Sequence, residues 1–536
     1  MSTRDVLWSS LLLLAAFGLY AVNLGRAPIY LHEAEVVFAL HAHSIATTAH
    51  DTNGRLLPLY FQVPAIGENV WFHPVIVYVM APFLKLLPLT ESTARLPSVF
   101  VGLIDLVLIY LIGKRLFHSA RWALVASVLL ALTPAHYMHS RMAMDYLYPV
   151  PFVMAWLLCL LIFIERGEIW ILFVATSLLG IGFYSYIASV IMMPIYLVVT
   201  CLTLLLSGRR PMRQYGVAVA GFAWPLVMLV LWVSFHPAVI SETLGRYQVG
   251  EVRAVSAVGG GVSMAVLLEQ VRHAVRFSEF TGRVSMYWYF FDPAYLFLSG
   301  GYANVVNSTR HVGVFLAPLL VFVPVGLVRI ATARRTPLTL LVFIGFLSAP
   351  LAACLVVPEP YAVDRELELL PFGVLAATFG VKYMIDERGK AWRIAGVCLL
   401  ALVPLHFAFF CWEYFGNYRL QSAFWFEYNR RGAMEEIIAR EPRDHPVAIY
   451  MSTHRIPYLD DYWRLYLIKH GRQDLLRRTV YFEADTLDVG TVPRGSVLLA
   501  SRQDASLQKL VEAGELRSIA LIPEPGDPPA FEILQR

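Results

Sequence analysis

The run Tyr30-Leu31-His32-Glu33-Ala34-Glu35 sets an imidazole and two carboxylates at the start of a helical pattern, VVFALHAHSI, which ends at the turn Asp51-Thr52-Asn53-Gly54-Arg55. A carboxylate placed there is a candidate general base, because a site shielded beside a membrane raises and tunes its pKa. The plainer role for Glu33 or Glu35 is to complement the helix dipole from the first turn. A second acid, Asp145, ends the run His139-Ser140-Arg141-Met142-Ala143-Met144-Asp145. It is a functional candidate as an ionisable group at the mouth of apolar helices, and it is also four residues from Arg141, within reach of an ion pair on one helical face. Asp105 lies midway in LPSVFVGLIDLVLIYLIG. Facing lipid there costs at least about 2.5 to 3.5 kcal/mol, so a buried structural hydrogen bond is expected.

The histidines His32, His41, His43, His50 and His73 invite a zinc reading, which their spacing does not support. HEAEV lacks the second histidine of HExxH, and His41 and His43, two apart on a helix, point about 200° from each other. Polar surface or substrate contact is the alternative, and no metal site is assigned. Cations recur at Arg55, Lys85, Arg95, Arg141, Arg310 and Arg365, with His311 adjoining. Binding a phosphate at the membrane surface gives them a common purpose, and salt bridges on the rim are the ordinary alternative. Arg365 has acids on both sides in VDRELE. The stretch Tyr287-Trp288-Tyr289-Phe290-Phe291 suits an interfacial aromatic belt, or the lining of a lipid or sugar site.

These residues need elements to hold them, and composition says what kind. At 536 residues, 58% hydrophobic and 15% charged, with a mean hydropathy of +0.59, the chain carries more apolar surface than one water-soluble core can hide. It reads as a polytopic α-helical membrane protein. The net charge of +4 sits in short clusters between apolar segments and forms no continuous basic face, which argues against nucleic acid. The five cysteines form no CxxC pair. The first segment, from Arg4-Asp5-Val6, reads as a retained helix.

Spans are expected near Val6, Leu96, Trp122, Pro149, Trp170, Ser189, Tyr215, Val312, Thr336, Leu367 and Ile394, roughly eleven helices of about 20 residues. With the amino terminus cytoplasmic, the clusters Lys114/Arg115/Arg121, Arg209/Arg210/Arg213, Arg329/Arg334/Arg335 and Arg388/Lys390/Arg393 all fall inside. Pro74 to Leu87, about 14 residues with Pro82 and Lys85 inside, suits a juxtamembrane or re-entrant helix on the outer face. The outer face then receives a first loop (26–94), a second long loop (236–311) and the tail (413–536), leaving 1–412 as the membrane domain. Strand-length runs in the tail, at Val447–Met451, Val480–Phe482, Ser496–Ala500 and Ser518–Ile522, alternate with helical patterns at Tyr458–His470 and Ala505–Gly514. That is a small α/β domain outside the cytoplasm.

Five blocks in order carry a resemblance. LHEAEVVFALHAHSIATTAHDTNGRLLPLYF is similar to an acidic-pair loop ending in DxxGxxLPLYF. TARLPSVFVGLIDLVLIYLIGKRLF, SRMAMDYLYPVPF, FFDPAYLFLSGGYANVVNSTRHVG and DRELELLPFGVLAATFGV follow it. Together they resemble membrane glycosyltransferases of the C type (GT-C), nearest the bacterial relatives of protein O-mannosyltransferases and of the lipid A aminoarabinose transferase. The resemblance implies a sugar moved from a polyprenyl phosphate to a hydroxyl on a lipid, glycan or protein acceptor, at the outer face of a bacterial inner membrane. It further implies inversion, often without metal, and no other cofactor. The absence of a P-loop or a GxGxxG agrees. By resemblance Glu33 falls on the second member of the family's Asp-Glu pair and Asp145 on its later acid, while His32 stands where the pair's Asp is expected. Glu33, Asp145 and His32 are thus the candidate catalytic residues. Lys85, Arg95, Arg310 and Arg365 are the candidates for the donor phosphate, with Arg55, Arg141 and His311 for other substrate contacts. A lipid-linked glycan flippase and an O-antigen-type polymerase or ligase are the competing readings. The lack of an internal repeat counts against paired-repeat transporters.

Overall fold

Hydrocarbon offers no hydrogen-bonding partner, so a chain this apolar must close its backbone bonds within helices. The computed structural model describes residues 3–65, 68–207, 212–239, 242–243, 285–332, 337–356, 359–442, 447–454, 456–483 and 486–536. Arg209, Arg210, Arg334, Arg335 and most of the second long loop lie outside the described residues.

The first part of the chain forms α1 (Thr3–Ala21), α2 (Glu33–Thr48), β1 (Phe61–Ala65), β2 (Glu68–Phe72), α3 (Pro74–Leu86), α4 (Glu91–Phe117) and α5 (Ala120–Ala131). It continues through α6 (Pro134–His139), α7 (Pro149–Arg166), α8 (Ile169–Gly182), α9 (Ser189–Leu206) and α10 (Met212–Phe235). Further apolar helices follow at Leu319–Thr332, Pro337–Ser348, Leu369–Lys382 and Lys390–Glu413. Every expected span meets one of these helices. Among the described residues six segments are long and apolar enough to cross a bilayer: Glu91–Phe117, Asp145–Arg166, Ser189–Leu206, Met212–Phe235, Leu369–Glu387 and Lys390–Gln421. The other five expected spans are shorter helices.

Charge pairs tie one end of the bundle together. Lys114 meets Asp5 at 3.6 Å, Arg115 meets Glu165, Arg121 reaches Asp386 at 4.0 Å and Arg329 reaches Glu387 at 2.7 Å. The basic clusters around Lys114 and Arg329 therefore share an end. Helix α4, 27 residues and so about 40 Å long, carries Arg95 to the opposite end.

At that opposite end the chain from α1 to α2 is held by two buried arginines. Arg95 donates to both carboxylate oxygens of Glu35, from Nε and Nη2 at 2.8 Å each. Its remaining donors reach the carbonyls of Leu24 (3.0 Å), Pro28 (2.9 Å) and Tyr30 (2.6 Å). Arg141 donates to the carbonyls of Tyr20 (2.6 Å) and Ala27 (3.0 Å) and lies over the rings of Tyr137 and Phe415. Irregular backbone at a membrane boundary must find such partners, and guanidinium groups supply several each. The expected phosphate and substrate roles of Arg95 and Arg141 are corrected here. Both are fully buried: Arg95 spends its donors on Glu35 and three carbonyls, and Arg141 gives its two terminal nitrogens to the carbonyls of Tyr20 and Ala27.

After α2 the chain forms the antiparallel hairpin β1–β2, with Phe61 opposite Phe72. Beyond Glu413 it turns through a helix Arg430–Arg440 into a five-stranded sheet of order β4-β3-β5-β7-β6: β3 (Ile449–Ser452), β4 (Thr479–Phe482), β5 (Val497–Ser501), β6 (Arg517–Ile522) and β7 (Phe531–Gln535). Strands β3, β4 and β5 are parallel, and β7 runs antiparallel between β5 and β6. The sheet carries the helices Leu459–His470 and Ala505–Glu512. This unit docks on the first loop: Tyr462 donates to the Leu31 carbonyl at 2.8 Å, Tyr30 donates to Glu524 at 3.0 Å, and Lys469 bridges Glu91 and Glu435 at 2.8 and 2.7 Å.

Removing one partner of a buried ion pair strands the other. Arg95→Ala or Glu35→Ala is expected to lower stability by about 3–5 kcal/mol, read as thermal unfolding in detergent. The double variant should lose clearly less than the sum of the two.

Candidate active site

Two successive acids in α2 do different work because of where they fall on the helix. His32 is the N-cap: its Nδ1 accepts from the Ala34 N–H at 3.2 Å, and its own N–H donates to Glu35 Oε2 at 3.0 Å, closing a capping box. Glu35, two residues beyond Glu33, is rotated about 200° from it and turns inward to Arg95. Burial pushes the Glu35 carboxyl up, but Arg95 and the N–H groups of Ala143 and His32 outweigh burial and hold it below the usual range. Glu33, on the other side, lines a cavity of about 370 Å³.

That cavity is walled by six parts of the chain. His32 and Glu33 come from the start of α2, Trp71, Phe72 and His73 from β2 and its exit, Asp145 and Tyr146 from the turn before α7, and Asp364 and Arg365 from a single 3₁₀ turn, Val363–Arg365. Tyr186 completes the apolar side, its ring 5.4 Å from that of Tyr146. Tyr458 reaches in from the C-terminal unit with a left-handed backbone, φ 55°.

Asp364 is held by Tyr186, which donates to Oδ2 at 3.1 Å, and by Asn307, whose Nδ2 donates to Oδ1 at 3.0 Å. Burial raises its carboxyl above the ordinary range, only partly opposed by Arg365 and Tyr186. Arg365 pairs with Glu359 at 3.1 Å and with Asp364 at 3.7 Å, and keeps part of its side chain at the cavity wall.

Four of the expected site residues are thus brought together: Glu33, Asp145, His32 and Arg365. His32 is corrected as a base. Its Nδ1 is already an acceptor, so in the neutral ring Nε2 carries the proton and can only donate. Burial holds that ring neutral, with its pKa pushed down to about 4.

Six others stand elsewhere. Arg95 and Arg141 are the buried pins already described. Lys85 is exposed near the far end of α3, roughly 18 Å along the helix axis from His73. Arg310 is exposed and donates to the Ala303 carbonyl at 2.7 Å, and His311 is 2.7 Å from Glu413. Arg55 lies just behind the wall, its guanidinium 5.0 Å over the Trp71 ring and 2.5 Å from Gln62. Asp105 makes the buried hydrogen bond expected of it, 3.3 Å from His136, which in turn meets the Tyr20 hydroxyl at 2.9 Å. Among the described residues no three His, Cys, Asp or Glu side chains converge as a metal-ligand set.

Sequence reasoning missed Asp364, Tyr186 and Tyr458, and named His73 only among histidines for surface or substrate contact. Asp364 was visible beside Arg365 but read only as its neutralising neighbour. Tyr186 and Tyr458 carry no local signal, since contact across the fold alone brings them in.

An apolar groove of about 280 Å³ lies on the outward face of α10. Met228, Leu231 and Phe235 form one side, with Leu57, Pro58 and Tyr78 opposite. Trp232 joins this groove to a cluster of Tyr60, Trp71 and Tyr184 behind the cavity wall.

Residues 72–235 match the family described as dolichyl-phosphate-mannose-protein mannosyltransferase. That stretch holds His73, Asp145 and Tyr186 but stops short of Glu33. No curated protein sequence matches the chain. Among solved structures, ArnT from Cupriavidus metallidurans bound to undecaprenyl phosphate superposes with a TM-score of 0.60 at 12% identity, over 100% of this chain and 98% of that one. ArnT from the same organism in the apo state gives 0.58 at 13%, over 99% and 98%. At such identities the likeness is one of fold, and it extends from end to end. The chain has the GT-C architecture and resembles the mannosyltransferase and ArnT branches of that superfamily.

Burial also pushes the imidazoles of His41 and His73 down, to about 4 and about 3. In the unfolded chain such rings protonate near pH 6.5, so on acidification the unfolded state takes up protons first. Stability is expected to be fully present above about pH 6.5 and to fall between there and about pH 3. Thermal unfolding in detergent across that range tests it, with His73→Asn giving a shallower fall.

Proposed function

We propose that this protein is an extracytoplasmic membrane glycosyltransferase that takes a sugar from a polyprenyl phosphate and passes it, with inversion, to a hydroxyl acceptor. One observation carries the reading: Glu33, Asp145 and Arg365, far apart in sequence, line one cavity at the end of the bundle opposite the basic clusters, in a GT-C fold. The bacterial inner membrane, with the amino terminus in the cytoplasm and the C-terminal unit outside, is the location that suits this arrangement.

In this proposal the donor's isoprenoid chain lies in the apolar groove on α10 and its phosphate rests near Arg365, whose guanidinium matches two phosphate oxygens at once. The acceptor hydroxyl attacks the anomeric carbon from the face opposite the phosphate. The new carbon–oxygen bond forms as the bond to the phosphate oxygen breaks, the phosphate leaves with the electron pair, and the hydroxyl proton passes to Glu33. Asp145, with Asp364 beyond it, orients the sugar and the acceptor. His32 donates from Nε2, and the aromatic walls exclude water, which strengthens each charge interaction inside. Lipid phosphate is itself the leaving group, so no nucleotide is required.

Asp105, an acid midway along an apolar helix, would suit a transport path; its engagement by His136 in the packed interior supports the transferase over a flippase.

The test is transfer of radiolabel from a polyprenyl-phosphate sugar by purified protein. Glu33→Gln is expected to lower kcat by about 10² to 10⁴, the usual contribution of a general base, and Asp145→Asn to lower it substantially as well. Arg365→Ala should raise KM for the donor. Wild-type turnover in both acid variants would remove the assignment. Movement of labelled donor across vesicles without transfer would replace it with transport.

A further inference from the structure

A second chamber, of about 440 Å³, lies between the C-terminal unit and the membrane domain, and His32 lines both it and the catalytic cavity. Its floor is the turn that links the last long apolar helix to the sheet. Phe424 and Trp425 stand there with 54% and 39% of their surfaces exposed, and both line the chamber. The next residues, Glu427 and Tyr428, are both left-handed, with φ of 66° and 57°. Two successive side-chain-bearing residues rarely adopt this conformation, and strain of this kind collects at functional sites.

Charge is built in at the same place. Arg430 is 3% exposed, pairs through Nη2 with Glu427 and donates through Nη1 to the Pro457 carbonyl at 2.6 Å. Its Nε has no hydrogen-bond partner among the described residues. The far wall is polar: Asn304 from the second long loop, and Ser501 and Gln503 from the end of β5. Open aromatic faces beside a carboxylate–guanidinium pair, amides and a hydroxyl match a ring that is apolar on its faces and hydroxylated round its edge. A lipid tail would set hydrocarbon against the charged Arg430–Glu427 pair and the unpartnered Arg430 Nε, an unfavourable match.

We infer that this chamber binds the carbohydrate of a glycan acceptor and presents one of its hydroxyls past His32 to the catalytic cavity. This rests on the transferase reading and adds the acceptor class to it. His32 is the shared wall: its Nε2–H is the donor left over after capping, and its ring meets Phe426 edge-on at 6.1 Å. A hydroxyl held there lies at the entrance to Glu33.

The experiment uses the full chain in detergent or nanodiscs and three soluble probes: delipidated lipopolysaccharide core oligosaccharide, a mannose disaccharide and an N-acetylglucosamine disaccharide. Isothermal titration is expected to show saturable binding of at least one, weakened about tenfold or more in Trp425→Ala and Gln503→Ala. Both variants should unfold at the wild-type temperature and keep the wild-type affinity for undecaprenyl phosphate. In the transfer assay, Trp425→Ala should raise KM for the glycan acceptor while Glu33→Gln lowers kcat. No saturable binding by any of the three, equal affinity in Trp425→Ala, or saturation by a lipid or peptide acceptor alone overturns the inference. If the oligosaccharide binds at Trp425 and no sugar is ever transferred, the chamber stands and the transferase reading fails.

Discussion

The buried pair Glu35–Arg95 is the constraint on which the rest of the site depends. Two full charges sit without solvent contact, which is tolerable only because each oxygen of the carboxylate accepts two hydrogen bonds and each nitrogen of the guanidinium has a partner. Through those bonds Arg95 fixes the carbonyls of Leu24, Pro28 and Tyr30, and Glu35 fixes the N–H groups of His32 and Ala143. The approach to α2 is thereby fastened to α4 on one side, and to the segment leading to Asp145 on the other. Glu33 and Asp145 come to one cavity because the same carboxylate, Glu35, holds both of their supporting segments.

The second constraint is the docking of the C-terminal sheet. Lys469 against Glu91, Tyr462 against the Leu31 carbonyl and Tyr30 against Glu524 press this unit onto the outer loop. Its placement puts Tyr458 into the cavity lined by Glu33 and Asp145 and, together with the 424–430 turn, encloses the second chamber. A unit that first looks like an appended domain is a wall of the site.

Much of this was legible in the sequence, and the limits are physical. Spans, the short helix at Pro74 and four of the five tail strands follow from hydrophobic period and length, which are local properties. β7, FEILQ, and the hairpin β1–β2 were missed: the first is a short run after a proline-rich turn, and the second is interrupted by Pro64 and lies inside a segment read as loop. Among the acids, Glu33 and Asp145 stood out as charges beside apolar helices. The cations misled, because Arg95 and Arg141 look alike from sequence whether they face a phosphate or a run of backbone carbonyls. Only the irregular stretch from Tyr20 to Tyr30, with its unpaired carbonyls, distinguishes the two cases, and its need for partners appears once it is folded. The helical angle between Glu33 and Glu35, about 200°, separates the cavity-facing acid from the buried one.

The most direct measurement is a density map of the protein with undecaprenyl phosphate. The expected result is a phosphate within hydrogen-bonding reach of Arg365, roughly 3 Å, with its isoprenoid chain along α10 and Glu33 facing the space beside it. A phosphate bound at the opposite end of the bundle, or a cavity filled by side chains with Glu33 and Asp145 turned apart, would contradict it.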